Sequence, residues 1–442
     1  MAATVSKTAT DIVNQPFTSI GDLVLCSDHD LSILRKWNER LPIWHDECVH
    51  RAISQRVPEN PGKPAVTPER FVALYFEKSK WFIVAILGVI KAGGAYVLLD
   101  PSYPRSRMQL ICDELRATTV LASVGLAPAA QNLAKNIVAV GEDAECLREQ
   151  QDVSNLISAC PDNPLYVVFT PGPTGKPKGI IMEHGAFCSW ARTTGQSLCL
   201  DSRSRVLQFS SHAFLVIHRD VLLTLMFGAC ICVPSEPDWV NNIARFMMEY
   251  RINWANLTPS VAALLSPEKV PNLQTLVFTG EPMSRASLRI WANKVNVNMA
   301  VDNPNNVGRG VASAIWLVDP QDHDKLVPIG AIGELVIEGT AIARGYVNNT
   351  EKNTRVVPPR CCRGFARNIE AAGFTRAENL LSLQMTGQFG FWAGRTTLLK
   401  CTASVWKWRK SNGTEPGLIA KHKGRKIDSV SGIEPHDPGD WE

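Results

Sequence analysis

Residues 165–187 read LYVVFTPGPTGKPKGIIMEHGAF, an apolar run that passes directly into a loop of glycine, proline, threonine and lysine. Leu165–Thr170 has the length and the β-branched and aromatic content of a fully buried strand. The loop brings Gly172, Gly175 and Gly179, which let backbone approach an anion, the hydroxyls of Thr170 and Thr174, and positive charge at Lys176 and Lys178. Pro171 and Pro173 have no N–H, so two amides that could face an anion are missing. An ordinary Gly/Pro surface turn would share this composition, and the loop alone leaves both readings open.

Outward from this stretch, helical and strand patterns alternate, which predicts an α/β architecture with parallel sheets. KSKWFIVAILGVIKAGG reads as helix, AYVLLD as strand, SRMQLICDELRA as helix and TTVLASV as strand. After the loop come the strand RVLQFSS, the helical HRDVLLTLMFG, the strand ACICVPS, and VPNLQTLVFTGEPM, a strand ending in a glycine turn. From about Asp319 the pattern turns β-rich in IGELVIEGTAIARGYV. Ligands of such folds collect where parallel strands end, and the loop after Thr170 is expected at such an end.

At 442 residues, 45% hydrophobic and 20% charged, the chain can bury a large core in two or three units. A formal net charge of +4 is small for this length and points to neither a nucleic-acid surface nor an acidic partner. The twelve cysteines follow no zinc or disulfide spacing, so reduced thiols and a cytoplasmic location are expected. The stretch WFIVAILGVIKAGGAYVLL carries Lys91 and three glycines and reads as a buried helix feeding a strand, with no membrane span. HDECVH, residues 45–50, has metal-binding residue types, but no metal site is expected from it.

Taken whole, LYVVFTPGPTGKPKGIIMEHGAF resembles the phosphate-loop signature of adenylate-forming enzymes, in particular the adenylation domains of fungal nonribosomal peptide synthetases. That signature, [YF]-x-x-[YF]-T-S-G-[ST]-T-G-x-P-K-G, is long enough to be specific. FEKSKWFIVAILGVIKAGGAYVLLDPSYPRSRM, TPSVAALLSPEKVPNLQTLVFTGEPM and WLVDPQDHDKLVPIGAIGELVIEGTAIARGYVNN resemble further family blocks in the right order. The resemblance implies the acyl-CoA synthetase/luciferase-like fold: two βαβ-layered subdomains and a small β-rich one. It also implies activation of a carboxylic acid by ATP and magnesium as an acyl-adenylate, with a carrier-protein thiol as the next acceptor. By position, Thr170, Gly172, Thr174, Gly175 and Lys178 would grip phosphates and Gly280 and Glu281 would border adenine. Phe214 and Leu215 would line the acid pocket. His184 matches the family's histidine after the loop, with packing as an equal reading. No catalytic residue is assigned.

Departures from the family pattern are as informative as the matches. Pro171 and Pro173 replace hydroxyl residues. In FSSHAFLVIHRD, which resembles the family's FASYxFDxSxxE, Leu215 occupies the place of the aspartate that pairs with a substrate ammonium. Asp220, beside His218 and Arg219, is read as solvated or packed. The family's first motif and its YGPTE, TGD and hinge blocks are not found, and neither is the lid with its catalytic lysine or a phosphopantetheine site.

The expected organisation is therefore a flexible 1–15, an incomplete AMP-binding adenylation domain at 16–357, and an unpatterned 358–442 expected to pack poorly. Read one base out of frame, Met385-Thr386 forces Asp, Phe391-Trp392-Ala393 forces Leu-Gly and Trp406-Lys407 forces Glu, matching the family's hinge spacing. The tail thus reads as frame-shifted DNA, and its basic, Trp-rich character as accidental rather than nucleic-acid binding.

Overall fold

The computed structural model describes residues 26–38, 44–54, 71–142, 159–170, 177–281, 289–292, 294–297, 306–308, 313–319, 322, 325–329, 331–339, 342–349, 373–383, 389–391, 398–399 and 407–408. Three larger sheets and one two-stranded sheet organise them. The first contains β1 (Phe71–Tyr75), β2 (Ala95–Leu99), β3 (Thr119–Ser123), β4 (Asn136–Val140), β5 (Pro164–Thr170) and β6 (Lys178–Glu183), closed at one edge by Gly345–Tyr346. The second contains β7 (Arg205–Leu207), β8 (Cys230–Cys232), β9 (Trp254–Leu257), β10 (Thr275–Phe278) and β11 (Asn296–Val297) in the order β11-β10-β9-β7-β8, every pair parallel. The third is antiparallel and is built on β12 (Asn306–Gly308), β13 (Ala314–Val318) and β14 (Ile332–Gly339).

Side-chain period sets the layers. Along β1 and β2, Val72, Leu74, Tyr96 and Leu98 enter one core cluster, while Ala73, Tyr75, Val97 and Leu99 enter the one on the opposite face. Strand β5 is buried at all seven positions, as a strand covered on both faces must be. Helix Lys80–Lys91 starts where Ser79 Oγ accepts the Phe82 N–H at 3.4 Å, and it buries Phe82, Ala85, Ile86, Val89 and Ile90 on one face. It ends at Gly93, whose φ of +77° favours glycine. Among the described residues no helix is long and apolar enough to cross a membrane.

The loop after Thr170 leaves the carboxyl end of β5, which is parallel to β2. Strand β5 is antiparallel to β6, with Thr170 opposite Lys178. The physical reason is length: a parallel crossover needs about a dozen residues or more, and this connection is far shorter. Gly179 is a packing glycine inside β6. A Cβ there would stand 2.9 Å from Phe169 Cζ and 3.0 Å from Val347 Cγ2.

The segment read as unpatterned supplies two strands. Gly373–Leu383 pairs antiparallel with β14, and Phe389–Phe391 pairs with it in turn. Backbone ladders need extended residues but no hydrophobic period, so a reading by period passes over them. Beyond them only the short pair Leu398–Leu399 and Lys407–Trp408 is described.

Candidate active site

The second sheet places its loops at one end, because parallel strands present all their carboxyl ends together. Residues 208–215 follow β7, Thr258–Ser260 follows β9, and Thr279–Glu281 follows β10, with β9 lying between the other two. The residues expected to border adenine and to line the acid pocket therefore share one edge of one sheet. Gly280 has φ +89°, a conformation that glycine adopts without strain. Glu281 is exposed, and its Oε2 accepts the Ser260 N–H at 2.9 Å as well as the Ser260 hydroxyl, which fixes the carboxylate beside the turn.

Phe214 is 57% exposed, unusual for a large aromatic, while Leu215 is half-buried against the first core cluster. Thr170 is buried at the end of β5 and Lys178 is half-buried opposite it, so both flank the loop between β5 and β6. Gly172, Thr174 and Gly175 lie outside the described residues. A cavity of about 370 Å³ lined by His45, Arg192, Thr193, Gln196 and Phe227 includes none of the expected site residues.

His184 proves to be structural. It is fully buried at the start of helix His184–Ser197, and its Nδ1 accepts the Val49 N–H at 3.3 Å, capping helix Val49–Ser54. Burial, with a smaller effect from His50, pushes its pKa down to about 3, so it stays neutral. Cys48, His50 and His184 bring donor atoms within 4.8 Å of one another, yet the Cys48 thiol is spent on the Ala159 carbonyl at 3.0 Å. With Nδ1 of His184 accepting from backbone, its other nitrogen must hold the proton, and the trio serves packing better than a metal.

Sequence reasoning missed a buried polar cluster beneath the 208–215 loop. Asp100 follows β2 and is buried; burial alone would raise its pKa, but hydrogen bonds from Ser102 and Ser211 outweigh that and hold the carboxyl below its ordinary value. Asp220 is buried rather than solvated, accepts the Ser210 hydroxyl at 2.9 Å, and is pushed up to about 6, by burial first, against Arg219. Lys78 is pushed down to about 8 by burial, with Asp220 and Asp100 opposing. Their signal in the sequence was slight, since the ties of Lys78 to Phe209 and of Asp100 to Ser211 and Ala213 span more than a hundred residues.

Comparison with known proteins agrees with this geometry. The AMP-binding enzyme family matches residues 65–347. The chain is 38% identical over 377 residues to nonribosomal peptide synthetase rstn8 of Penicillium ochrochloron, covering 74% of this chain and 19% of that protein. It is 35% identical over 430 residues to D-lysergyl-peptide-synthetase subunit 2 of Epichloe festucae var. lolii, covering 85% of this chain and 32% of the relative. The chain thus spans a third or less of the length of these two relatives. In fold it matches the AMPPNP-bound form of the nonribosomal peptide synthetase FmoA3 with TM-score 0.75 at 18% identity, over 89% of this chain and 48% of that one. It also matches the anthranilate CoA ligase AuaEII with TM-score 0.65 at 17% identity, over 79% of this chain and 77% of that one. The chain belongs to the AMP-binding enzyme family, and the relatives it resembles include fungal nonribosomal peptide synthetases.

Proposed function

We propose that this chain descends from a domain that uses ATP and magnesium to activate a carboxylic acid for peptide synthesis, and that its own turnover is impaired. In the activation step a carboxylate oxygen attacks the α-phosphorus of ATP, the bond to the β-phosphate oxygen breaks, and acyl-adenylate and pyrophosphate form. Such a step depends on positioning and on neutralising phosphate charge. Thr170, Gly172, Thr174, Gly175 and Lys178 would hold phosphates, Gly280 and Glu281 would border adenine, and Phe214 and Leu215 would meet the acid. A carrier-protein domain in trans would take the acyl group on its thiol.

The observation that carries this reading is the family match across residues 65–347. Impairment follows from Pro171 and Pro173, which remove two donors, and from Leu215, which leaves an α-ammonium without a counter-ion. Acids lacking that ammonium, such as hydroxy, keto or aryl acids, suit the pocket better. The same departures favour a second reading, a non-catalytic remnant that binds nucleotide weakly or docks on a synthetase partner. Acid-stimulated ATP–pyrophosphate exchange by the purified full chain, across a panel of amino, hydroxy, keto and aryl acids, separates the two. Exchange led by a proteinogenic amino acid would refute the acid preference, and no exchange with any acid would leave the remnant.

A further inference from the structure

The loop that carries Phe214 and Leu215 is fastened to the first sheet by two residues that the phosphate and adenine readings leave unused. Lys78 lies just past β1 and Asp100 directly follows β2. Asp100 Oδ1 accepts the Ser102 N–H at 2.9 Å and the Ser102 hydroxyl at 2.6 Å, while Oδ2 accepts the Ala213 N–H at 3.1 Å and the Ser211 hydroxyl. The Lys78 ammonium donates to the Phe209 carbonyl, which also accepts the Trp239 indole N–H at 3.0 Å. That ammonium stands 4.4 Å from the centre of the Trp239 ring. Ser210 is tied in turn to Asp220. Phe209 through Ala213 is thus held residue by residue, with His212 packed on Phe82 at 4.4 Å between ring centres, and the next residue, Phe214, emerges into solvent.

The side-chain types suit this task. Only an ionised carboxylate can accept from four donors at once, two on its own strand end and two on the loop. Only a long cation can both donate to a carbonyl and lie against an aromatic face. We propose that Lys78 and Asp100 are positioning residues of the acid pocket: charged anchors on the first sheet that fix where the second sheet's loop presents Phe214 and Leu215. This rests on the reading of those two residues as pocket residues.

The test uses the full chain with Asp100→Asn, which conserves volume but loses acceptors, and Lys78→Met, which conserves length but loses the donor. In deuterium exchange, amides of Phe209–Leu215 should exchange about tenfold faster or more in Asp100→Asn, with a smaller gain in Lys78→Met, while Trp254–Leu257 keeps its protection. In ATP–pyrophosphate exchange with benzoate, Asp100→Asn should raise the KM for benzoate about tenfold and leave that for ATP within about twofold. Unchanged exchange in the loop, or an equal loss of protection across β9, would overturn the proposal. Absence of activity with every acid of the panel would sink the functional reading instead, and the deuterium result would still decide whether the anchors hold the loop.

Discussion

Acid should unfold this protein in a manner set by its buried histidines. His184, His212 and His218 are at most 7% exposed, and burial, the largest cause in each, pushes them down to about 3, 4 and 3. In the unfolded chain each titrates near 6.5. Their folded pKa values are depressed, so their stabilisation is present above pH about 6.5 and is lost as pH falls toward 4, where only the unfolded chain takes up protons. Asp220 acts in the opposite sense: with a folded value of about 6 against an ordinary one near 4, it takes a proton in the folded state first. From these four groups the unfolded chain therefore binds about two more protons between pH about 5.5 and 4.5, a contribution of about 3 kcal/mol per pH unit, and His50, which burial pushes down to about 4, adds to it in the same sense. Since domain stability is about 5–15 kcal/mol, two pH units should consume much of it. Urea midpoints followed by circular dichroism at pH 7, 5.5 and 4.5 measure the slope directly. His218→Phe supplies the control. Its ring lies stacked on Tyr166 at 3.9 Å between centres, and its Nδ1 is 2.8 Å from Tyr96 Oη, so the variant should be less stable at pH 7 yet lose about one proton from the slope. Stability that stays flat from pH 7 to 4.5, or a slope unchanged by the substitution, would refute the reasoning.

Three further outcomes are expected. Leu215→Asp should move pyrophosphate exchange toward α-amino acids, and a preference left as it was would separate Leu215 from the pocket. Pro171→Ser with Pro173→Ser should tighten ATP binding, at about 1 kcal/mol per restored hydrogen bond; micromolar ATP binding by the unaltered chain, seen by calorimetry, would show that the missing amides do not matter. Sequencing the gene should find that the frame shifted by one base across Thr386–Gly413 encodes an Asp-Gly turn, a Leu-Gly-Arg hinge and an Arg-[Val/Ile]-Glu close, and a stop codon at the unforced positions would end that account.

What was legible in the sequence divides along a physical line. Strand β5, helix Lys80–Lys91 and β14 were readable because burial imposes a run or a period on neighbouring residues. The direction of β6 was not, since a short apolar run carries no sign of whether its partner is parallel; the length of the connection decides that. The site divides in the same way. Thr170, Lys178, Gly280 and Glu281 are proposed from their order along the chain, whereas Lys78 and Asp100 gain their tie to the 209–213 loop from partners 131 and 111 residues away.

That distance bears on how the pocket can change. Leu215 rests against the first core cluster, while the side-chain ties of its loop to Lys78 and Asp100 stop at Ala213. The chain has thus separated the residues that hold the loop from the residue that would meet the acid, and a substitution at Leu215 removes no anchor. A carboxylate placed there would face apolar neighbours and gain its partner only from a bound ammonium. Leu215→Asp without ligand should then be less stable than the unaltered chain, and the difference should shrink when a cognate amino acid is added.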